Sequence, residues 1–97
     1  MTLKTTRWDP VDDLKTPEDE RLYLEAAFED GDPAVIAAAL GDVARARGMT
    51  KVAEEAGLTR DAIYKSFKSG GNPTLQTLTS VADALGYKIT ITPKKAA

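Results

Sequence analysis

The chain has 97 residues, a formal net charge of −2, and neither cysteine nor histidine. Its length suits one compact domain, because a second core would leave each half too small to bury enough apolar surface. Without cysteine and histidine there are no disulfides, thiol nucleophiles or zinc fingers, and the usual general base is missing. The composition therefore predicts a protein that is not an enzyme and takes no cofactor or metal. Clustered carboxylates holding Mg²⁺ are the alternative, but the acidic residues have the spacing of solvated helix surfaces.

Neither a membrane span nor a secretory signal is predicted. The longest mostly apolar stretch, PAVIAAALG at 33–41, is far shorter than the roughly 20 residues that cross a bilayer. The start of the chain, MTLKTTRWDP, has no apolar core of the kind that a secretory signal needs. We therefore expect a cytoplasmic protein that does not contact membranes.

The charges are divided unevenly along the chain. Residues 1–44 carry four basic and eleven acidic side chains, a net −7, whereas residues 45–97 carry nine basic and four acidic ones, a net +5. Screening at physiological salt limits the interactions of exposed charges to about 8 Å. The basic half can therefore meet a polyphosphate although the whole chain is acidic. The acidic half is either solvated surface or a face for a second partner.

Capping side chains followed by proline predict the first two helices. TPED at 16–19 combines a capping hydroxyl, a proline and acids in the first turn, and Gly31 ends this helix. DP at 32–33 repeats the start, and Gly48 ends the second helix. Three shorter helices follow, each with a threonine near its start and a glycine at its end. They run from Thr50 to Gly57, from Thr59 to Gly70-Gly71, and from Asn72-Pro73-Thr74 to Gly86. We expect Thr50 and Thr59 to cap the third and fourth helices, and Ile63 and Phe67 of the fourth to face inward.

The period of the sequence changes after the last helix. In YKITIT at 87–92, Tyr87, Ile89 and Ile91 alternate with polar residues, as in a half-buried strand. No second strand is predicted, and a lone strand leaves backbone groups unpaired. We therefore expect this strand to pair with its copy in a symmetric homodimer. The alternative is a short tail packed on the helices.

The predicted fold class is all-α, with five helices and this one short strand. Trp8, Val11 and Leu14 allow the first residues to dock on the helices as an arm. The predicted organisation is an N-terminal arm at 1–15, a helical domain at 16–86, a C-terminal strand at 87–93 and a disordered tail at 94–97.

Residues 50–68 meet the requirements of a helix-turn-helix, namely a short positioning helix, a tight turn and a second helix with a polar exposed face. Ala53 is small where the helices would cross, Gly57 lies at the turn, and Leu58 and Ile63 are apolar anchors. The second helix carries side chains of types that read base edges in DNA. The candidates for this role are Thr59, Arg60, Asp61, Tyr64 and Lys65.

Polar and basic residues around this segment are candidate contacts for DNA phosphates, through side chains or helix starts. They are Thr50, Lys51, Lys68, Asn72 and Thr74. Two short helices joined at a glycine also occur by chance in helical bundles. The basic half favours the DNA-binding interpretation.

Several segments in their order along the chain resemble one family. They are WDPVDDL at 8–14, EDGDP at 29–33 followed by ALGDVARARGMT, then EEAGLTR, GNPT, and ALG before the strand. Through them the chain resembles the addiction-module antidote family, small antitoxins with a phage-repressor-like helix-turn-helix. Many such repressors have a glutamine where this chain has Lys51, which can hold a phosphate as a point charge but cannot brace a neighbouring side chain as an amide can.

The resemblance implies an antitoxin of a type II toxin-antitoxin module that neutralises a RelE-like or ParE-like toxin and represses its own operon at a palindromic operator. A stand-alone repressor without a toxin is the alternative. We expect the acidic first helix, with Glu18, Glu20 and Glu25, to face a basic toxin. The edge of the strand at 87–92 is the rival contact for the toxin.

Overall fold

The computed structural model describes residues 9–68 and 70–94. Within these ranges the chain forms a short 3₁₀ helix, Pro10–Asp13, followed by five α-helices. The prediction of an all-α domain with five helices is confirmed. None of the described helices is long and apolar enough to cross a membrane. The helices are α1 (Pro17–Asp30), α2 (Pro33–Arg47), α3 (Met49–Ala56), α4 (Arg60–Phe67) and α5 (Leu75–Ala84).

The first two helices begin at the predicted caps. Thr16 Oγ1 accepts the N–H of Asp19 at 3.0 Å, and Asp19 Oδ2 accepts the N–H of Thr16 at 3.1 Å, which is a complete capping box. Asp32 Oδ1 accepts the N–H of Ala34 at 2.9 Å at the start of α2. Between them Gly31 ends α1 in the left-handed conformation, at φ 82°.

A single glycine joins α2 to α3. The N–H of Gly48 donates to Ala44 O at 3.0 Å and its carbonyl accepts the N–H of Val52 at 3.1 Å, so it closes one helix and opens the next. Its φ of 109° favours glycine. The prediction that Thr50 caps α3 is wrong, because the helix already begins at Met49 and has no side-chain cap.

The fourth helix is shorter than predicted. It ends at Phe67, and Lys68 is already extended, with ψ 170°. The N–H of Gly71 donates to Lys68 O at 2.7 Å, and a Cβ on Gly71 would collide with Ser66 O. Gly70-Gly71 therefore forms the return turn after α4 and does not end the helix itself.

The second helix is the centre of the domain, and the 3₁₀ helix and the other four α-helices all pack against it. Leu40, Val43, Ile63 and Val81 are the largest fully buried side chains. Burial of each such side chain contributes about 1.5–3 kcal/mol. Leu14, from the predicted arm, belongs to the same core. Trp8 and the last three residues of the predicted tail lie outside the described residues.

The predicted C-terminal strand is not observed. Residues 87–94 have no regular secondary structure. The N–H of Tyr87 donates to Ala82 O at 2.9 Å, and no backbone hydrogen bond joins 88–94 to another described residue. A strand needs a neighbouring strand to pair with, and the described part of this single chain offers none.

One arginine links three helices. At the end of α2, Arg47 donates through Nε and Nη2 to the carboxylate of Glu20 in α1, at 2.7–3.0 Å. Its Nη2 also donates to Leu85 O, directly after α5, at 3.0 Å. Glu20 is only 7% exposed. Because a buried carboxylate is stable only when it is paired, this ion pair fixes α1 and the end of α5 against α2. The bond to Glu20 is also the main cause of the raised pKa of Arg47.

Glu20→Gln should lower the free energy of unfolding by about 2 kcal/mol, since the charge of Arg47 then loses its partner inside the fold. Glu18→Gln is the matched control, because the Glu18 side chain is 64% exposed and its pair with Arg21 is solvated. The control should change stability by less than about 1 kcal/mol. Urea denaturation measures both, and equal losses would contradict the assigned role of Glu20.

Candidate nucleic-acid interface

Two eight-residue helices, α3 and α4, are joined by a tight turn at 57–59. Gly57 is left-handed, with φ 73°, and the N–H of Leu58 donates back to Ala53 O at 2.9 Å. Thr59 then caps α4, because its Oγ1 accepts the N–H of Ala62 at 3.0 Å. Glycine at this position permits the sharp change of direction between the helices.

Apolar contacts hold α4 against α2 and α3. Ile63 and Phe67 are buried, as predicted, and Ala53 of α3 is 3% exposed. On the facing helix, a Cβ added at Gly41 would lie 3.0 Å from Phe67 Cβ. The backbone of α2 therefore approaches α4 closely, which leaves α4 little freedom to tilt.

The opposite face of α4 is exposed and polar. The Tyr64 side chain is exposed by 58%, and Asp61 and Lys65 form an open ion pair at 3.4 Å. A pair this exposed contributes little to stability, so both groups are free to exchange it for other partners. All the candidate base-reading residues are exposed: Thr59, Arg60, Asp61, Tyr64 and Lys65. The Thr59 hydroxyl, however, is already engaged as the cap of α4.

The candidate phosphate contacts are also exposed, and they lie in three places. Thr50 and Lys51 are on the first turn of α3, Lys68 follows α4, and Asn72 and Thr74 precede α5. Thr74 is the cap of α5, since its Oγ1 accepts the N–H of Thr77 at 3.1 Å. The start of α3 adjoins the exposed face of α4, because Met49 lines a surface depression together with Arg60, Asp61 and Tyr64.

The same depression is lined by Arg45 of α2, a residue that the sequence did not indicate. Arg45 bonds to Asp9 Oδ1 at 3.2 Å and to Asp42 Oδ1 at 3.0 Å. Its guanidinium is the main cause of the lowered pKa of Asp9, and the backbone N–H of Val11 adds to the effect. Asp9 and Arg45 are 36 residues apart, so no local signal could have linked them.

The acidic residues of α1 have different surroundings. Glu18 and Glu25 are exposed, and both bond to Arg21 at 2.9 Å. Glu20 lies inside, bonded to Arg47, and so it is not part of the exposed acidic surface. Within the described residues, no group of three or more acidic side chains is arranged to hold a metal ion.

The residues expected to pair across a dimer are divided between the core and solvent. Tyr87 and Ile89 are half-buried and line a groove of about 370 Å³ with Leu24 and Phe28 of α1. Ile91 is 95% exposed. The segment thus packs on the core at Tyr87, borders the groove beside α1 and is open to solvent at Ile91.

A small all-α domain, in which α4 buries an apolar face and exposes a polar one, is consistent with the class indicated by the sequence, the antitoxins. The chain belongs to the addiction-module antidote family, since the family model described as "Probable addiction module antidote protein" matches residues 4–93. An uncharacterized protein of Haemophilus influenzae is 35% identical over 91 residues, which cover 94% of each chain. No solved structure matches the chain. The resemblance is confirmed, and the family supports an antitoxin role with a toxin partner of some kind.

Proposed function

We propose that the chain is the DNA-binding antitoxin of a type II toxin-antitoxin module. It neutralises a RelE-like or ParE-like toxin by direct binding and represses its own operon. In this proposal α3, the turn at 57–59 and α4 act as a helix-turn-helix, and α4 enters the major groove. The observation that supports it best is the two-sided character of α4, which buries Ile63 and Phe67 and exposes a polar face.

Each exposed side chain of α4 has a chemistry suited to base edges. Arg60 can donate two hydrogen bonds to guanine, and Asp61 can accept one from cytosine. Tyr64 can contact a base through its ring or its hydroxyl, and Lys65 can donate to bases or phosphates. Lys51, on the first turn of α3, supplies charge to a phosphate, which sets the position of the protein on DNA but not its sequence preference.

The proposed DNA-binding form is a homodimer on a palindromic operator, with half-sites about 34 Å apart. The support comes from residues 88–92, whose backbone forms no hydrogen bond with another described residue, and from Ile91, which is 95% exposed. Pairing with the same segment of a second copy would satisfy that backbone and cover Ile91.

A stand-alone repressor with no toxin would use the same α3 and α4. Membership of the antidote family favours the antitoxin, because an antidote acts on a toxin. A toxin reading frame beside the gene distinguishes the two.

The surface proposed to face the toxin is the exposed side of α1, with Glu18 and Glu25. Glu20 is left out because Arg47 holds it inside the fold. Acidic side chains complement the basic surface of a toxin that binds RNA, and such charges speed association more than they raise affinity. The segment 87–92 is the rival toxin contact, through strand addition to the edge of a toxin sheet.

Arg60→Ala should cost about 1–3 kcal/mol at one base position of the operator, because one base contact is lost. Lys51→Ala should weaken binding to every sequence alike and reduce the salt slope by about 1. The matched control is Arg21→Ala, which removes an exposed arginine of α1. Band-shift titrations with the DNA upstream of the gene and with a scrambled duplex measure these effects. The proposal fails if Arg60→Ala behaves like Arg21→Ala.

Neutralising Glu18 and Glu25 together as glutamines should reduce, several-fold, the amount of toxin that copurifies from the native cell, because the opposed charges are removed. The same double change at Glu54 and Glu55, exposed acids of α3, is the control for total charge. Undiminished toxin with the first variant would contradict the assigned surface. Loss of toxin with Ile91→Asp instead would assign the contact to 87–92.

A further inference from the structure

Arg45 lies between the exposed face of α4 and Asp9, which precedes the 3₁₀ helix. It lines a depression of about 420 Å³ together with Met49, Arg60, Asp61 and Tyr64. It also borders the adjoining depression that reaches Lys68. Three cationic side chains, Arg45, Arg60 and Lys68, therefore border one continuous stretch of surface.

Two carboxylates hold Arg45, and they differ in character. Asp42, bonded to Arg45 at 3.0 Å, has a side chain only 17% exposed and also accepts the hydroxyl of Tyr23 at 2.6 Å. Asp9, bonded at 3.2 and 3.4 Å, has a side chain 44% exposed. Asp42 is thus an inner anchor that orients the guanidinium, and Asp9 is an outer partner open to solvent.

We propose that Arg45 binds one phosphate of duplex DNA in this depression. When DNA is absent, the Asp9 carboxylate takes the place of that phosphate in an ion pair with the guanidinium. The inference rests on the proposed DNA-binding function and adds a contact to it. A carboxylate and a phosphate offer a guanidinium the same paired oxygen acceptors, so one can replace the other. Asp61 also lines the depression, but Arg45 and Arg60 outnumber it there, so the charged side chains of the depression sum to a positive charge.

The exchange would link DNA binding to the start of the described chain. Asp9 Oδ1 also accepts the N–H of Val11 at 3.1 Å and so caps the 3₁₀ helix. Leu14, after this helix, belongs to the core and forms no part of the ion pair, so we expect it to stay buried when Asp9 is released. Release of Asp9 from Arg45 therefore changes the partners of the residue that caps this helix, while its bond to the N–H of Val11 can persist.

A double-mutant cycle on Asp9 and Arg45 tests the exchange, with Asp12→Asn as the control of equal charge. Asp12 is exposed in the same 3₁₀ helix and forms no ion pair with a described residue. Asparagine at position 9 can still cap the helix, so the fold is preserved. Affinity for a duplex from upstream of the gene is measured by fluorescence anisotropy from low to physiological salt.

Arg45→Gln should weaken binding to all sequences and reduce the salt slope by about 0.9, the value for one lost phosphate contact. Asp9→Asn should tighten binding about two- to five-fold more than Asp12→Asn does, because an exposed competing ion pair is removed. In the Arg45→Gln background the two asparagine variants should be equal. Arg45→Lys, which keeps the charge, should recover the salt slope and guards against a folding defect in Arg45→Gln.

Two results would overturn the inference. One is an unchanged salt slope in Arg45→Gln, and the other is an equal effect of Asp9→Asn and Asp12→Asn in the unaltered background. Arg60→Ala separates this failure from that of the proposed function. If Arg60→Ala weakens operator binding while Arg45→Gln does not, only the inference fails; if the unaltered chain does not bind DNA, both fail.

Discussion

The ion pair between Arg47 and Glu20 constrains how α1, the end of α2 and the end of α5 lie against one another. One guanidinium at the end of α2 binds a carboxylate of α1 and the carbonyl of Leu85 after α5. Gly48 follows Arg47 directly and links α2 to α3 through its backbone hydrogen bonds. The chain therefore changes direction from α2 to α3 at the residue next to this ion pair. Because α4 packs on both α2 and α3, the orientation of its exposed face depends on the direction of α3 as well as on the close approach of Phe67 to Gly41.

Some charged side chains of this protein stabilise the fold through buried ion pairs, and others stay on the surface where a partner can reach them. Arg45 and Arg47 are two residues apart, yet Arg47 is bonded to a buried acid and Arg45 borders the proposed DNA face. Likewise Glu20 is enclosed, while Glu18 and Glu25 stay on the surface of α1. Net charge alone hides this division, since screening makes each surface act on its own neighbours. An acidic chain can therefore carry both the cationic face proposed to bind DNA and the acidic face proposed to bind a toxin.

The sequence predicted those features whose causes are local. The cap at Thr16, the cap at Thr59 and the inward positions of Ile63 and Phe67 follow from neighbours along the chain. The errors arise where distant groups decide the outcome. Glu20 meets Arg47 27 residues later, and a strand at 87–92 needs a partner outside the described chain. The early end of α4 is different, because it comes from the local turn in which Gly71 bonds to Lys68.

Amide chemical shifts of the ¹⁵N-labelled protein, titrated with duplex DNA from upstream of its own gene, test the central claim most directly. The account predicts the largest chemical-shift changes for the amides of residues 50–51 and 59–65, and smaller changes around Arg45. The chemical shifts of the α1 amides beyond its first turn should not change. Changes confined to α1 or to 87–94, or no saturable change at all, would contradict the claim that α3 and α4 form the DNA-binding face of this antidote.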